Sequence, residues 1–505
     1  MAESSPQSSS LVMPSVPAQT GSSDALELAE WARRDHPMVV FCARASEVSR
    51  LREEISWFDP ALKVCVFPDW ETLPYDSFSP HQDLVSERLA TLYQMQRREF
   101  DVLVLPATTA LQRLPPLEYL AAYTFFLKQG ETLGLDALRA QLVFAGYQSV
   151  SQVMAPGEFC VRGGIIDLFP MGSVLPYRID LMDETIEGIR TFDVDTQRTI
   201  YKVGEIRLLP AREYPTDDAG RNRFRNAFRE HFEGDPSKST IYRDVSNGVS
   251  PAGIEYWLPL FFEKTATLFD YLPPECKLVM QGDTHAALTD FWRDMQSRYR
   301  FLRGERDRPL LDPSDLFLDA EQFFLRAGSF ERLRSDATHK ENDAIPRFTS
   351  LPVLAVERRA EDPLHALKAF LDRYPGRVLL IAESAGRRET LIQYLNEYAL
   401  RPADCDGYAS FANTEAPLML CVSPLLNGFV DTTSARALIT EAELFAATAR
   451  TRGARARERV TSVEGMLRDL SELRAGDPVV HLDHGIGRYR GLIDLDFGEG
   501  KTEFL

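Results

Sequence analysis

The sequence predicts an α/β protein of several domains, and three observations carry that prediction. The chain has 505 residues, 44% apolar and 26% charged, a globular composition too long for one core, so about three or four domains are expected. Apolar runs of strand type alternate with helical patterns near both ends of the first 448 residues, as in parallel sheets flanked by helices. Between them, a block of short strand patterns from about Tyr123 to Pro210 breaks the rhythm as an inserted α+β domain would.

Taken in order, residues 1–22 lack the basic and long apolar regions of a signal peptide and read as a disordered tail. A helical pattern from Asp24 (Leu26, Leu28, Ala29, Trp31) leads into Met38–Phe41, a helix around Val48–Phe58, the run Val64–Phe67 and the run Phe100–Leu105. These form the first part of an α/β domain, 23–122, whose second part, 211–335, follows the insertion 123–210. A polar stretch places a linker at 336–349, and Leu364–Leu371, Val378–Ile381, Leu391–Leu395, Leu418–Val422 and Ala437–Ile439 restore the α/β alternation over 350–448. Residues 449–475 read as an Arg-rich linker helix, with five arginines against one glutamate in 450–459. Such a run is commonly a solvated helix face and less often a phosphate contact. From Gly476 short strands with glycines at turn spacing begin a small β-barrel; the sequence stops in the strand-like Thr502–Leu505, so an incomplete barrel is expected over 476–505.

Arg162 to Arg198 is the most informative stretch. Gly163-Gly164 marks a tight turn, and Ile165–Phe169 and Tyr177–Met182 read as antiparallel strands joined through Pro170–Pro176. Arg162 and Arg178 can meet on neighbouring strands as a paired, planar anion-reading patch. The alternative is that each pairs with a local carboxylate such as Asp167, Asp180 or Asp183.

The net charge of −18 repels phosphate backbones, and Glu158–Arg198 holds four arginines against eight carboxylates. A protein partner is therefore favoured there over DNA. The six cysteines are widely spaced, without a C-x-x-C pair, and read as buried thiols of a reducing compartment. No run is long enough to span a membrane. Gly500-Lys501-Thr502 imitates the end of a phosphate loop, but Leu495 stands where its first glycine belongs; the Gln19–Asp24 loop carries no lysine. His481, Asp483 and His484 lack a distant metal ligand, and no nucleophile motif supports a catalytic site.

Four segments together, Phe67–Met95, the Arg162–Arg198 block, Pro251–Phe262 and Gly476–Tyr489, resemble the bacterial transcription-repair coupling factor (Mfd) family from about residue 20 onward. The resemblance implies a vestigial helicase-like (RecA-like) α/β domain similar to UvrB, an inserted domain that binds UvrA, a second small α/β domain, and the start of a Tudor/SH3-like barrel that binds the RNA polymerase β subunit. It implies a role in transcription-coupled nucleotide excision repair in the bacterial cytoplasm, with DNA engaged indirectly and no membrane contact. ATP and Mg belong to the full-length family's translocase, which follows the barrel, so no cofactor and no active site are expected here. The alternative readings are an ATP-dependent DNA translocase or helicase, and direct binding of damaged DNA through 450–459. By that likeness Arg162 and Arg178 match the UvrA-binding arginines, and Met182 stands where an aromatic is common. Leu495, on one face with Ile493 and Phe497, is the polymerase-contact candidate; its alternative is core packing. The chain departs from UvrB after Tyr75-Asp76, where no Tyr-rich hairpin follows, so lesion reading is not expected.

Overall fold

The computed structural model describes residues 20–305, 307–333 and 346–445, together with the backbone of four strands between residues 478 and 504. The first unit is laid out as the alternating pattern requires: α1 (Ser23–Arg34), β1 (Met38–Cys42), α2 (Ser46–Phe58), β2 (Val64–Val66), α3 (Gln82–Arg97) and β3 (Val102–Pro106). Both β1 and β3 are buried along their whole length, which is why they read as continuous apolar runs.

The chain then leaves this sheet. β4 (Phe125–Lys128) pairs antiparallel with the much later β11 (Glu205–Leu208), closing the neck of the excursion. Within it lie the helix Leu135–Phe144 and a sheet of β5 (Gln148–Ser149), β6 (Glu158–Arg162), β7 (Ile165–Leu168), β8 (Tyr177–Met182), β9 (Thr185–Phe192) and β10 (Thr199–Val203). Its order is sequential and its pairings are antiparallel apart from β5 with β6. The helix Asp218–His231 follows, burying Phe224 and Phe228, while the apolar run after Pro251 forms 3-10 turns over Ile254–Phe261. The chain returns as β12 (Lys277–Gln281) and β13 (Glu331–Arg332), so that among the described residues the first sheet runs β13-β12-β1-β3-β2, all parallel.

The excursion is seated on α3. Arg88 and Glu213, both fully buried, pair at 2.5 Å through Nε and at 3.3 Å through Nη2, and Arg88 Nη1 donates to the Pro68 carbonyl. The Arg88 guanidinium also lies 4.4 Å from the centre of the Phe67 ring. Ser86 Oγ accepts the Gly172 N–H at 2.7 Å, and a Cβ at Gly172, which holds φ +77°, would come within 2.8 Å of Ala90 Cβ.

The second α/β unit contains β14 (Phe348–Thr349), β15 (Arg377–Ala382), β16 (Ala403–Asp404), β17 (Leu418–Val422), β18 (Phe429–Asp431) and β19 (Arg436–Thr440). They form a mixed sheet in the order β14-β18-β19-β15-β17-β16. The two α/β units share a core: Leu26, Leu51 and Phe58 belong to the same buried cluster as Leu425, Phe429 and Leu438. Arg347 bridges them too, forking onto Glu30 at 2.7 and 2.8 Å while reaching Asp431 at 3.2 Å.

The lysine-free loop at Thr20–Asp24 lies inside this joint. Gly21, at φ +64°, packs so closely that an added Cβ would stand 2.3 Å from the Gly428 carbonyl oxygen. Ser22 N–H donates to the Asn427 carbonyl and its hydroxyl to Glu54, which also accepts the Leu426 N–H. Arg50 donates to Glu54 at 2.7 Å and to Asp24 at 2.9 and 2.5 Å.

β20 (Pro478–His481) and β21 (Gly485–Arg488) form one hairpin, and β22 (Ile493–Asp496) and β23 (Lys501–Phe504) another. These are two separate two-stranded ladders. Residues 336–345 of the expected 336–349 linker, the Arg450–Arg459 run, Asp483 and His484 lie outside the described residues, while Phe348–Thr349 of that linker form β14 of the second sheet. Among the described residues no helix is long and apolar enough to cross a membrane, and of the six free cysteines five are buried and Cys65 half-buried.

Glu54 gives the joint a pH signature. Burial pushes its carboxyl from 4.5 up to about 7, against the opposing pull of Arg50. Because the folded form holds this proton more tightly than the unfolded chain does, the contribution of Glu54 to stability falls as pH rises from about 4.5 to about 7. Glu54→Gln should flatten the pH dependence of unfolding free energy in that window, measured by denaturant titration. Equal slopes in the two proteins would contradict the assignment.

Candidate protein-docking face

Hairpin geometry positions the two arginines. Gly163 takes φ +59° at the first turn position between β6 and β7, a conformation that suits a two-residue hairpin turn. Gly164 follows against the next strand: its carbonyl accepts the Leu181 N–H at 2.8 Å, and a Cβ there would meet the Leu181 carbonyl oxygen at 2.9 Å. The register across β6, β7, β8 and β9 then sets Cys160, Asp167, Arg178 and Arg190 in one row, and Arg162, Ile165, Asp180 and Gly188 in the next.

Directly opposed residues share a face, as do alternate residues along a strand. Arg162 and Arg178 therefore stand on the same face, together with Ile165, Asp167, Asp180 and Arg190. The other face, with Phe159, Ile166, Leu168, Ile179 and Ile189, is buried in the main core. A bulge on β9 between Gly188 and Ile186 leaves the alternation on β8 intact, so Met182 falls on the arginine face.

The two arginines hold one carboxylate between them. Asp167, only 1% exposed, accepts from Arg162 Nη2 at 2.6 Å, from Arg178 Nε at 2.6 Å and from Arg178 Nη2 at 2.9 Å. Arg178 Nη1 donates to the Gln197 carbonyl at 3.2 Å, and its guanidinium lies 5.0 Å from the centre of the Phe192 ring. The side chain of Arg178 is 19% exposed and that of Arg162 is 55% exposed. The hydrogen bond with Asp167 raises Arg178 above its ordinary pKa, outweighing burial.

Both expectations from the sequence thus meet in one arrangement: the arginines do pair with a local carboxylate, and in sharing it they come together. Met182 is 66% exposed at the end of the hairpin, and Ile165 is 39% exposed beside the pair. Arg190 is tied to Asp180 at 2.7 Å. Neither Ile165 nor Arg190 stood out in the sequence, although their place in the strand alternation could have marked them. Chemically the face offers a mostly free guanidinium, a second one held in plane, and two exposed apolar side chains. It suits a protein surface bearing carboxylates next to apolar groups.

Leu495 pairs in register with Thr502 on the neighbouring strand; its side chain, and Phe497, lie outside the described residues.

Residues 125–214, which contain this face, match the model of the UvrB interaction domain. Residues 370–444 match the MFD, D3 domain and residues 473–505 the CarD-like/TRCF RID domain. The chain is 41% identical over 494 residues to the transcription-repair-coupling factor of Escherichia coli (strain K12), covering 96% of this chain and 42% of that protein. It is 40% identical over 493 residues to the corresponding Haemophilus influenzae protein, covering 95% of this chain and 42% of that one. The match is to the N-terminal portion of the transcription-repair-coupling factors. A more distant member from Bacillus subtilis (strain 168) is 24% identical over 496 residues, covering 93% of this chain and 41% of that protein. The chain thus spans about two-fifths of the length of the curated relatives it matches.

The hairpin depends on the second glycine of its turn. Gly164→Ala forces Leu181 away from the turn and should cost about 1–3 kcal/mol of stability, as overpacking does. Gly163→Ala meets no neighbour within 4 Å and should cost only about 1–2 kcal/mol, through its left-handed backbone. Denaturant unfolding of the two variants checks the order.

Proposed function

We propose that the chain serves transcription-coupled nucleotide excision repair in the bacterial cytoplasm, as a scaffold that recruits UvrA to RNA polymerase stalled at DNA damage. One observation carries the reading: the segment that matches the UvrB interaction domain holds Arg162 and Arg178 side by side on one face of its sheet, around a shared carboxylate. In this reading UvrA docks on Arg162, Arg178 and Met182, and DNA is approached only through the partners.

The match of residues 473–505 to the CarD-like/TRCF RID domain supports the RNA polymerase β subunit as the second partner, with Leu495 on the contacting strand. The fully parallel first sheet and the excursion between β3 and β12 support a vestigial helicase-like (RecA-like) body over 23–122 and 211–335, carrying an insertion at 123–210. The mixed sheet supports a second α/β domain over 350–448, and the terminal hairpins a Tudor/SH3-like barrel over 476–505.

The test is capture of purified UvrA. Because both arginines lie against the buried Asp167 carboxylate, the informative variant is Arg162→Gln, which puts no second carboxylate beside it and leaves Arg178 as its partner. UvrA binding should weaken by about 2–5 kcal/mol, the cost of removing charged partners at a desolvated contact, while circular dichroism stays unchanged. Undiminished binding would reject the surface. Leu495→Asp should reduce capture of the RNA polymerase β subunit and leave UvrA binding as it was; loss of neither would reject the second assignment.

A further inference from the structure

Asp167 is the one charged group of the docking face with almost no solvent contact, and three of the hydrogen bonds that order the arginines end on it. Resting on the UvrA reading of this face, we infer that Asp167 is a positioning residue for partner binding: it fixes the planes and spacing of the Arg162 and Arg178 guanidiniums while touching no partner itself.

A guanidinium has five N–H groups. Arg178 spends Nε and Nη2 on Asp167 in a two-pronged contact and Nη1 on the Gln197 carbonyl, with the Phe192 ring beneath it. Its orientation is therefore set from three sides. Arg162 spends only Nη2 on Asp167, which leaves its other N–H groups for a partner. Two like charges repel at close range, and the carboxylate between them is what lets two guanidiniums stand together. The row also explains why the carboxylate stays put: on one side it is paired across the ladder with Cys160, which is packed in a small cluster with Val153, Phe169 and Phe192.

Charge and geometry make opposite predictions here. Asp167 cancels part of the patch's positive charge, while Arg190 is already balanced by Asp180. A partner attracted by net charge alone would bind Asp167→Asn more tightly, since that substitution makes the face more positive. A partner that reads two ordered forks would bind it less tightly, because an amide presents a single oxygen and no charge to hold them.

The experiment measures UvrA affinity of the full chain by titration calorimetry, with circular dichroism and thermal unfolding as controls of folding. Asp167→Asn should bind at least about tenfold more weakly although both arginines remain, and Asp167→Glu, which keeps the carboxylate, should recover part of the loss. Arg178→Lys keeps both the charge and a partner for Asp167 but loses the planar fork; it should weaken binding as much as Arg178→Gln does, and if Asp167→Asn fails to fold, Asp167→Glu, which keeps the charge but shifts the carboxylate, tests Asp167 directly by binding more weakly than the native chain. Affinity of Asp167→Asn equal to or above that of the native chain, or Arg178→Lys binding like the native chain, overturns the inference. A separate result, Arg162→Gln without effect on UvrA affinity, would instead bring down the docking reading on which it rests.

Discussion

The buried ion pair between Arg88 and Glu213 is the constraint on which the presentation of the sheet depends. A charge pair taken wholly out of water is costly unless geometry and extra hydrogen bonds repay it. Here a two-point contact, the Pro68 carbonyl and two flanking aromatic rings do so. Glu213 lies just beyond β11, where the excursion rejoins the body, and Arg88 lies in the middle of α3. The pair therefore bolts the neck of the excursion to a helix of the first unit. Gln82 adds to the same seam, donating to the Ala211 carbonyl and accepting from Arg212.

A seated sheet would suit the docking role proposed for this face. Binding that must first order its own side chains loses part of its energy to entropy, whereas a pre-set pair of guanidiniums does not. The structure invests in that order locally, through a buried carboxylate, an aromatic ring and a backbone carbonyl around Arg178. Arg162 is kept comparatively free at the edge of the pair. One guanidinium is thus held and the other left mostly free, by residues drawn from β6 to β9 and the loop that follows β9.

The joint between the two α/β units follows a different logic. The Thr20–Asp24 loop is filled by backbone from Leu426–Gly428, with Glu54 and Arg50 closing the polar groups beneath. Leu26, Leu51 and Phe58 share one apolar cluster with Leu425, Phe429 and Leu438, so the second unit is packed as a continuation of the first. Burying an apolar patch of this kind is the principal source of association energy, and the Arg347 fork onto Glu30 and Asp431 contributes direction more than strength.

The sequence by itself determined the alternating α/β organisation and the break in that rhythm between about Tyr123 and Pro210, and it left open whether Arg162 and Arg178 meet or each pair with a local carboxylate. These rest on local patterns: buried strands read as unbroken apolar runs, and the tight Gly163-Gly164 turn fixes the register of β6 against β7. The resemblance carried by Phe67–Met95 and the Arg162 block pointed to the family. Only the tertiary structure decided that Arg162 and Arg178 meet, that one carboxylate, Asp167, serves both, and that the run after Pro251 coils into 3-10 turns. It alone brought Arg88 to Glu213, 125 residues away, and Ser22 to the Asn427 backbone. The reason is physical. Strand alternation and turn chemistry are encoded in neighbouring residues, whereas the partner of a buried charge is chosen by which distant surfaces the apolar core has pressed together.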